Sequence, residues 1–149
     1  MRASGLFVFA LVVLGHSRTL AGAESPPPIY ATATCAPASK PGRIRCRAVV
    51  ELPLESAGTR RIAWGELRVV KVDPDLEPLR GRLGPLDAET RDDGRIAWTF
   101  SVASPKAGDR SMTVKLLATI EPKGTPGAPT LPTLVERAVT VPVHVDQVP

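Results

Sequence analysis

Asparagine is missing from this chain of 149 residues, and aromatic residues are scarce: two Trp, one Tyr and three Phe. Without asparagine there is no acceptor for N-linked glycosylation. With so few rings, aromatics cannot alternate with basic residues as platforms for single-stranded nucleic acid require. Histidine and cysteine occur twice each, and the sequence contains no HExxH, CxxC or GxSxG motif and no phosphate-cradling glycine loop. Two cysteines and the one histidine beyond the N-terminal segment are too few for a zinc site. The expectation is a protein that is not an enzyme and needs no cofactor.

Long apolar runs are also lacking. The longest, Leu6 to Leu14 (LFVFALVVL), has nine residues, against about 20 for a membrane-spanning helix. It follows Met1-Arg2-Ala3-Ser4-Gly5, with one positive charge, and precedes a polar stretch ending in Ala21-Gly22-Ala23. Those are the three parts of a secretory signal peptide, with small residues for the peptidase pocket. Cleavage is expected after Ala23. No lipid is expected, because a lipoprotein signal needs a cysteine where Ala23 stands. The sequence then divides into a signal peptide (1–23), a proline-rich leader (24–28, ESPPP) and one domain (29–146), with no transmembrane segment in the mature chain.

Charge excludes little else. The formal net charge is +4, and removing Arg2 and Arg18 leaves 17 bases against 15 acids, or +2. That balance is too small to imply nucleic acid as a partner.

What is present is period-two alternation broken by Gly and Pro. Ile29, Ala31, Ala33 and Cys35 share one face of a first strand. APASKPG (36–42) is a turn. In the second strand Ile44, Cys46, Ala48, Val50, Leu52 and Leu54 point one way, while Arg43, Arg45, Arg47 and Glu51 point the other. A third strand runs from Arg61 to Asp73, with a bulge expected at Gly65-Glu66 where the apolar phase changes. Residues 74–91, rich in Pro and Gly, read as short strands near Pro78–Leu83 and Leu86–Arg91. Asp93-Gly94 is a hairpin signal. Ile96, Trp98, Phe100 and Val102 form the next inward row, and Met112, Val114, Leu116, Ala118 and Ile120 another. The last strand carries Val135, Val139, Val141, Val143 and Val145, interrupted by Arg137. The mature chain shows no helical pattern of useful length, which points to an antiparallel β-sandwich.

This order of strands, with Trp64 on the third and the SPKAGD turn leading into Met112–Ile120, resembles the immunoglobulin-like sandwich of about seven strands. The resemblance implies a bacterial or fibronectin-like relative. The sixth strand has no cysteine and the usual corner tyrosine is missing, so the antibody type is not expected.

Two cysteines in an exported chain read as one disulfide, Cys35–Cys46. Facing residues of an antiparallel hairpin have a constant sum. The pairing therefore sets Ala33 against Ala48, Ala31 against Val50 and Ile29 against Leu52, all on apolar phases. The tetrapeptide RIAW occurs twice, ending at Trp64 and at Trp98. Both rings are expected in the core, since an isoleucine two residues earlier shares each phase. Arg43, Arg45 and Arg47 form an outward basic stripe that Arg60, Arg61, Arg80 and Arg82 could extend. A solvated face explains it simply; a contact for an anionic partner is the sharper reading. Asp73, Asp75, Asp87, Glu89, Asp92 and Asp93 lack calcium-loop spacing, and no metal site is expected. His144 lies on the outward phase of the last strand. The functional expectation is a secreted or periplasmic, non-catalytic module whose partner is another envelope or extracellular protein. The alternative is binding of an acidic glycan, an anionic lipid or a metal ion.

Overall fold

The computed structural model describes residues 28–124 and 131–146. The expected signal peptide, its cleavage point after Ala23 and all of the leader except Pro28 lie outside the described residues.

Among the described residues, nine strands form two antiparallel sheets. Sheet A contains β1 (Tyr30–Pro37), β2 (Arg43–Glu51), β7 (Arg95–Ala103) and β4 (Glu77–Pro78) in that order, with β6 (Thr90–Asp92) also beside β7. Sheet B contains β5 (Arg82–Leu83), β3 (Arg60–Val72), β8 (Gly108–Pro122) and β9 (Thr133–Val145). Strands one, two and seven thus share a layer, while three, eight and nine share the other. That is the immunoglobulin-like arrangement, with six long strands and three very short ones.

The first hairpin has the expected register: Cys35 faces Cys46, Ala33 faces Ala48 and Ala31 faces Val50. The disulfide Cys35–Cys46 is formed, with 4.1 Å between the Cα atoms. Ile29 and Leu52 are buried, but beyond the last paired residues. The turn between the strands closes at Gly42, whose φ of 73° is one that side-chain-bearing residues rarely adopt. On β7, Ile96, Trp98, Phe100 and Val102 point inward against Met112, Val114, Leu116 and Ile120 of β8.

The segment 74–91 differs from its expected two strands. It pairs at sheet A as β4, crosses to sheet B as β5, makes a 3-10 turn at Pro85–Asp87 and returns to sheet A as β6. Three prolines and two glycines deny it any ladder longer than three residues. A four-residue helical turn, Leu54–Ala57, replaces the expected end of the second strand, so Leu54 leaves the inward row and is exposed.

The bulge in β3 also sits elsewhere. The register with β8 slips between Ile62 and Trp64, and again between Val69 and Lys71. Ala63 is therefore the extra residue, and Trp64 faces Thr119 on the outer side of sheet B. The expectation that both tryptophans fill the core is corrected. Trp98 is fully buried, whereas Trp64 is half-buried outside the core cluster. The cause is Trp98 itself. A Cβ on Gly65 would lie 2.8 Å from Ile96 Cδ1 and 3.1 Å from Trp98 Cη2. Gly65 is the inward residue because only a residue without a side chain fits beneath that ring, and its neighbour Trp64 must then turn outward.

Candidate functional site

The arginine stripe is built by the alternation of β2. Arg43, Arg45 and Arg47 lie on the outer face of sheet A, successive side chains about 6.8 Å apart along the strand. Neighbouring strands set short side chains beside them. Arg47 lies between Thr34 of β1 and Thr99 of β7, and Arg45 between Ala36 and Ser101. Arg43 faces Ala103. With these small neighbours Arg45 is exposed, while Arg43 and Arg47 are half-buried.

Their charges are not equally engaged. Arg47 Nε meets Glu89 Oε2 at 3.5 Å, and Thr99 Oγ1 donates to the same oxygen at 2.7 Å. The Thr99 hydroxyl first, then Arg47 with some help from Arg45, holds the Glu89 carboxyl below the usual glutamate range. Among the described residues, no carboxylate lies within ion-pair distance of Arg43 or Arg45 (salt bridges reach 4.0 Å). Lys40, in the turn beside them, is exposed. Acids of this face lie at Glu51, at the far end of β2, and on the opposite border at Glu77 on β4 and Asp92 on β6. The β1 side of the stripe is therefore basic and hydroxyl-rich.

The other arginines do not extend it. Arg60 and Arg61 begin β3 and Arg82 lies in β5, both strands of sheet B. Arg61 pairs with Glu121, Arg80 with Asp87 at 2.8 Å, and Arg82 with Glu66 at 2.8 Å. Arg61, Arg80 and Arg82 each belong to a local pair.

Three of the loop acids serve the backbone, while Asp75 lies 3.8 Å from Arg110 and Glu89 meets Thr99 and Arg47. Asp73 accepts from Ser111 N at 2.6 Å, Asp87 from Gly84 N at 2.9 Å and Asp92 from Gly94 N at 2.9 Å. Among the described residues no group of three His, Cys, Asp or Glu side chains is arranged to hold a metal ion. His144 does meet acids, with Nδ1 2.7 Å from Asp109 and Nε2 3.3 Å from Asp146. Its hydrogen bond to Asp109 raises the imidazole above its ordinary value. This cluster is open to solvent. A shallow cleft of about 290 Å³, lined by Arg61, Ile62, Ala63, Arg91, Asp92 and Asp93, does not include it.

A feature that alternation alone could not show lies on the outer face of sheet B. Trp64, Thr119 and Leu134 form one row across β3, β8 and β9, and Glu66, Leu117 and Glu136 form the next. Glu66 is only 3% exposed although it points away from the core. Arg82 and Arg68 each take one of its oxygens. The Arg82 hydrogen bond is the largest influence, and together with that of Arg68 it outweighs burial and lowers the carboxyl's pKa. The signal that could have revealed this face is the five-residue step from Ile62 to Leu67, which requires a phase change somewhere between them.

No protein-family model and no curated protein matches this sequence. Among solved structures, the chain is similar to the collagen-binding subdomain ACE19 of the Enterococcus faecalis surface protein ACE. The identity is 8% and the TM-score 0.34, over 81% of this chain and 99% of that one.

Proposed function

We propose that this chain is an exported, non-catalytic binding module of the cell envelope or extracellular space, and that its partner is another protein of that compartment. The disulfide supports the address, since such bonds persist in oxidising compartments. The N-terminal pattern supports export, with cleavage after Ala23. The observation that carries the binding role is the stripe on β2. Arg43 and Arg45 stand among small residues, Ala36, Ser101 and Ala103, with no carboxylate within ion-pair distance among the described residues. Each unpaired guanidinium can donate two parallel hydrogen bonds to a carboxylate of a partner.

The same regular spacing favours a second reading, in which an acidic glycan lies along β2. Cross-linking in the native envelope separates the two. For the wild-type protein a specific protein adduct is expected, and for an Arg43/Arg45/Arg47 triple alanine variant its loss. A variant that cross-links as well as wild type refutes the arginine face as the contact. No protein adduct, with salt-sensitive retention on a sulfated or carboxylated glycan that the variant loses, establishes the second reading.

A further inference from the structure

We infer that the open edge of β1 pairs with the same edge of a second copy of this chain, joining two copies of sheet A across a two-fold axis.

A sheet edge offers unpaired amides and carbonyls to any strand that can match them, and proteins blunt such edges with short strands, prolines or charges. Among the described residues, three of the four edges here are blunted. Beyond β7, β4 and β6 have two and three residues, and β5 has two. β9 is long, but it contains Pro142, and Arg137 lies half-buried on its inward phase. β1 (YATATCAP) differs from all of these. It has eight residues, no charge, no glycine and an unbroken register with β2, and its proline comes last.

The open groups of β1 follow a fixed pattern. Cys35 and Cys46 face each other with Cα atoms 4.1 Å apart, the close spacing of a pair without mutual hydrogen bonds. The Ala38 amide, in the opposite phase, donates to the Arg43 carbonyl at 2.9 Å. Even-numbered residues therefore bond to β2, while Ala31, Ala33 and Cys35 turn their amides and carbonyls away from it. Among the described residues no second strand pairs with β1. β9 passes near it in the other sheet but shares no backbone hydrogen bond with it.

The order of these groups selects the occupant. Setting Ala33 against the second copy's Ala33, antiparallel, also sets Ala31 against the second copy's Cys35 and Cys35 against its Ala31. Every amide that β1 turns away from β2 then meets a carbonyl. A shift one way brings Pro37, which has no amide, against Ala31, and a shift the other way sets Cys35 against Ile29, outside the strand. On the outer face Thr32 meets the second copy's Thr34, a favourable cross-strand pair. Farther along, the row across the joined sheets reads Arg45, Ala36, then the second copy's Tyr30 and Glu51. All but the alanine are large exposed side chains, Tyr30 by 60%, and neither Arg45 nor Glu51 has an ion-pair partner among the described residues. Arg45 stands two strand spacings, about 9.6 Å, from that tyrosine. Only Ala36 lies between, so the guanidinium can reach over it onto the ring. No like charges face each other across the axis, because β1 carries none. The edge is thus its own complement, as a two-fold contact requires. A single pair of edges buries less than the ~800 Å² per partner of a tight complex, and the dimer is reversible.

Sedimentation velocity of the exported, disulfide-bonded protein from about 5 µM to about 1 mM is the test, with a dissociation constant expected on the order of 100 µM. Thr32→Lys changes an exposed side chain beside Val49, so its thermal midpoint should stay within about 2 °C of wild type. In the dimer that lysine confronts the second copy's Arg47 across Thr34, and association should weaken at least about tenfold. Register is read by cysteine pairing. Mild oxidation of Thr32→Cys mixed with Thr34→Cys should give a covalent dimer, and either variant alone far less. A protein that stays monomeric to the highest concentration overturns the inference. So does a dimer indifferent to Thr32→Lys, or one that either cysteine variant alone cross-links as well as the mixture. Each of these failures leaves the proposed arginine contact standing, since that is read by cross-linking to a different protein of the envelope.

Discussion

Trp64 and Trp98 are preceded by the same three residues, yet one ring is half-exposed and the other is the largest fully buried side chain. Trp98 Nε1 donates to the Gly84 carbonyl at 2.9 Å, so the indole is buried without stranding its polar atom. Replacing Trp98 by Ala should cost about 3–5 kcal/mol through lost burial and an unfilled cavity. Gly65→Ala should cost about 1–3 kcal/mol, because its methyl must displace Ile96 or the Trp98 ring. Trp64→Ala, away from the core cluster, should cost about 1 kcal/mol or less. Urea unfolding of the three variants tests that ranking. Acrylamide quenching should reach the Trp64 fluorescence of Trp98→Phe and spare the Trp98 fluorescence of Trp64→Phe. Equal quenching of the two would contradict the outward placement of Trp64.

At the scale of elements, the β1–β2 hairpin was readable because three constraints coincide. The cysteines, the apolar phase and the turn all demand the same register, and a slip of one residue would expose every inward alanine. The arginine stripe was readable for the same reason, since it is the reverse side of that alternation. Residues 74–91 were not readable, because two-residue strands have no period and their pairing is decided by the sheet each happens to cross. The Trp64 face was missed for a subtler reason. A bulge had to lie between Ile62 and Leu67, and only the Trp98 ring, from a distant strand, places it at Ala63. The hairpin also carries a measurable prediction. Converting both cysteines to serine should destabilise the fold by about 2–3 kcal/mol through the freed loop, read as a fall in urea midpoint with little change in slope. An unchanged midpoint would mean that the neighbouring strands alone hold β1 in place. The proposed export adds a second check: the secreted protein should begin at Glu24, and reduction of the bridge should add the mass of two hydrogens.

Over the whole molecule, two charge clusters at different places on the surface should give stability a maximum at mildly acid pH. Glu66, between Arg82 and Arg68, has its carboxyl below the ordinary 4.5. Folding therefore favours its charged form. That contribution is fully present above 4.5 and is lost as pH falls through the lower folded value. Asp87, held down chiefly by Arg80, and Glu89, held down chiefly by Thr99, act in the same direction. His144 acts oppositely. Its hydrogen bond to Asp109 lifts it above 6.5, so folding favours the imidazolium. Its contribution is present below 6.5 and fades as pH rises through the folded value, attenuated because the cluster is solvated. Thermal midpoints should therefore fall steeply on the acid side and gently on the alkaline side. Glu66→Gln should flatten the acid limb while leaving the remainder due to Asp87 and Glu89, and His144→Gln should flatten the gentle one. An acid limb that keeps its full slope in Glu66→Gln would show that the Arg82–Glu66–Arg68 cluster makes no net contribution to holding sheet B together.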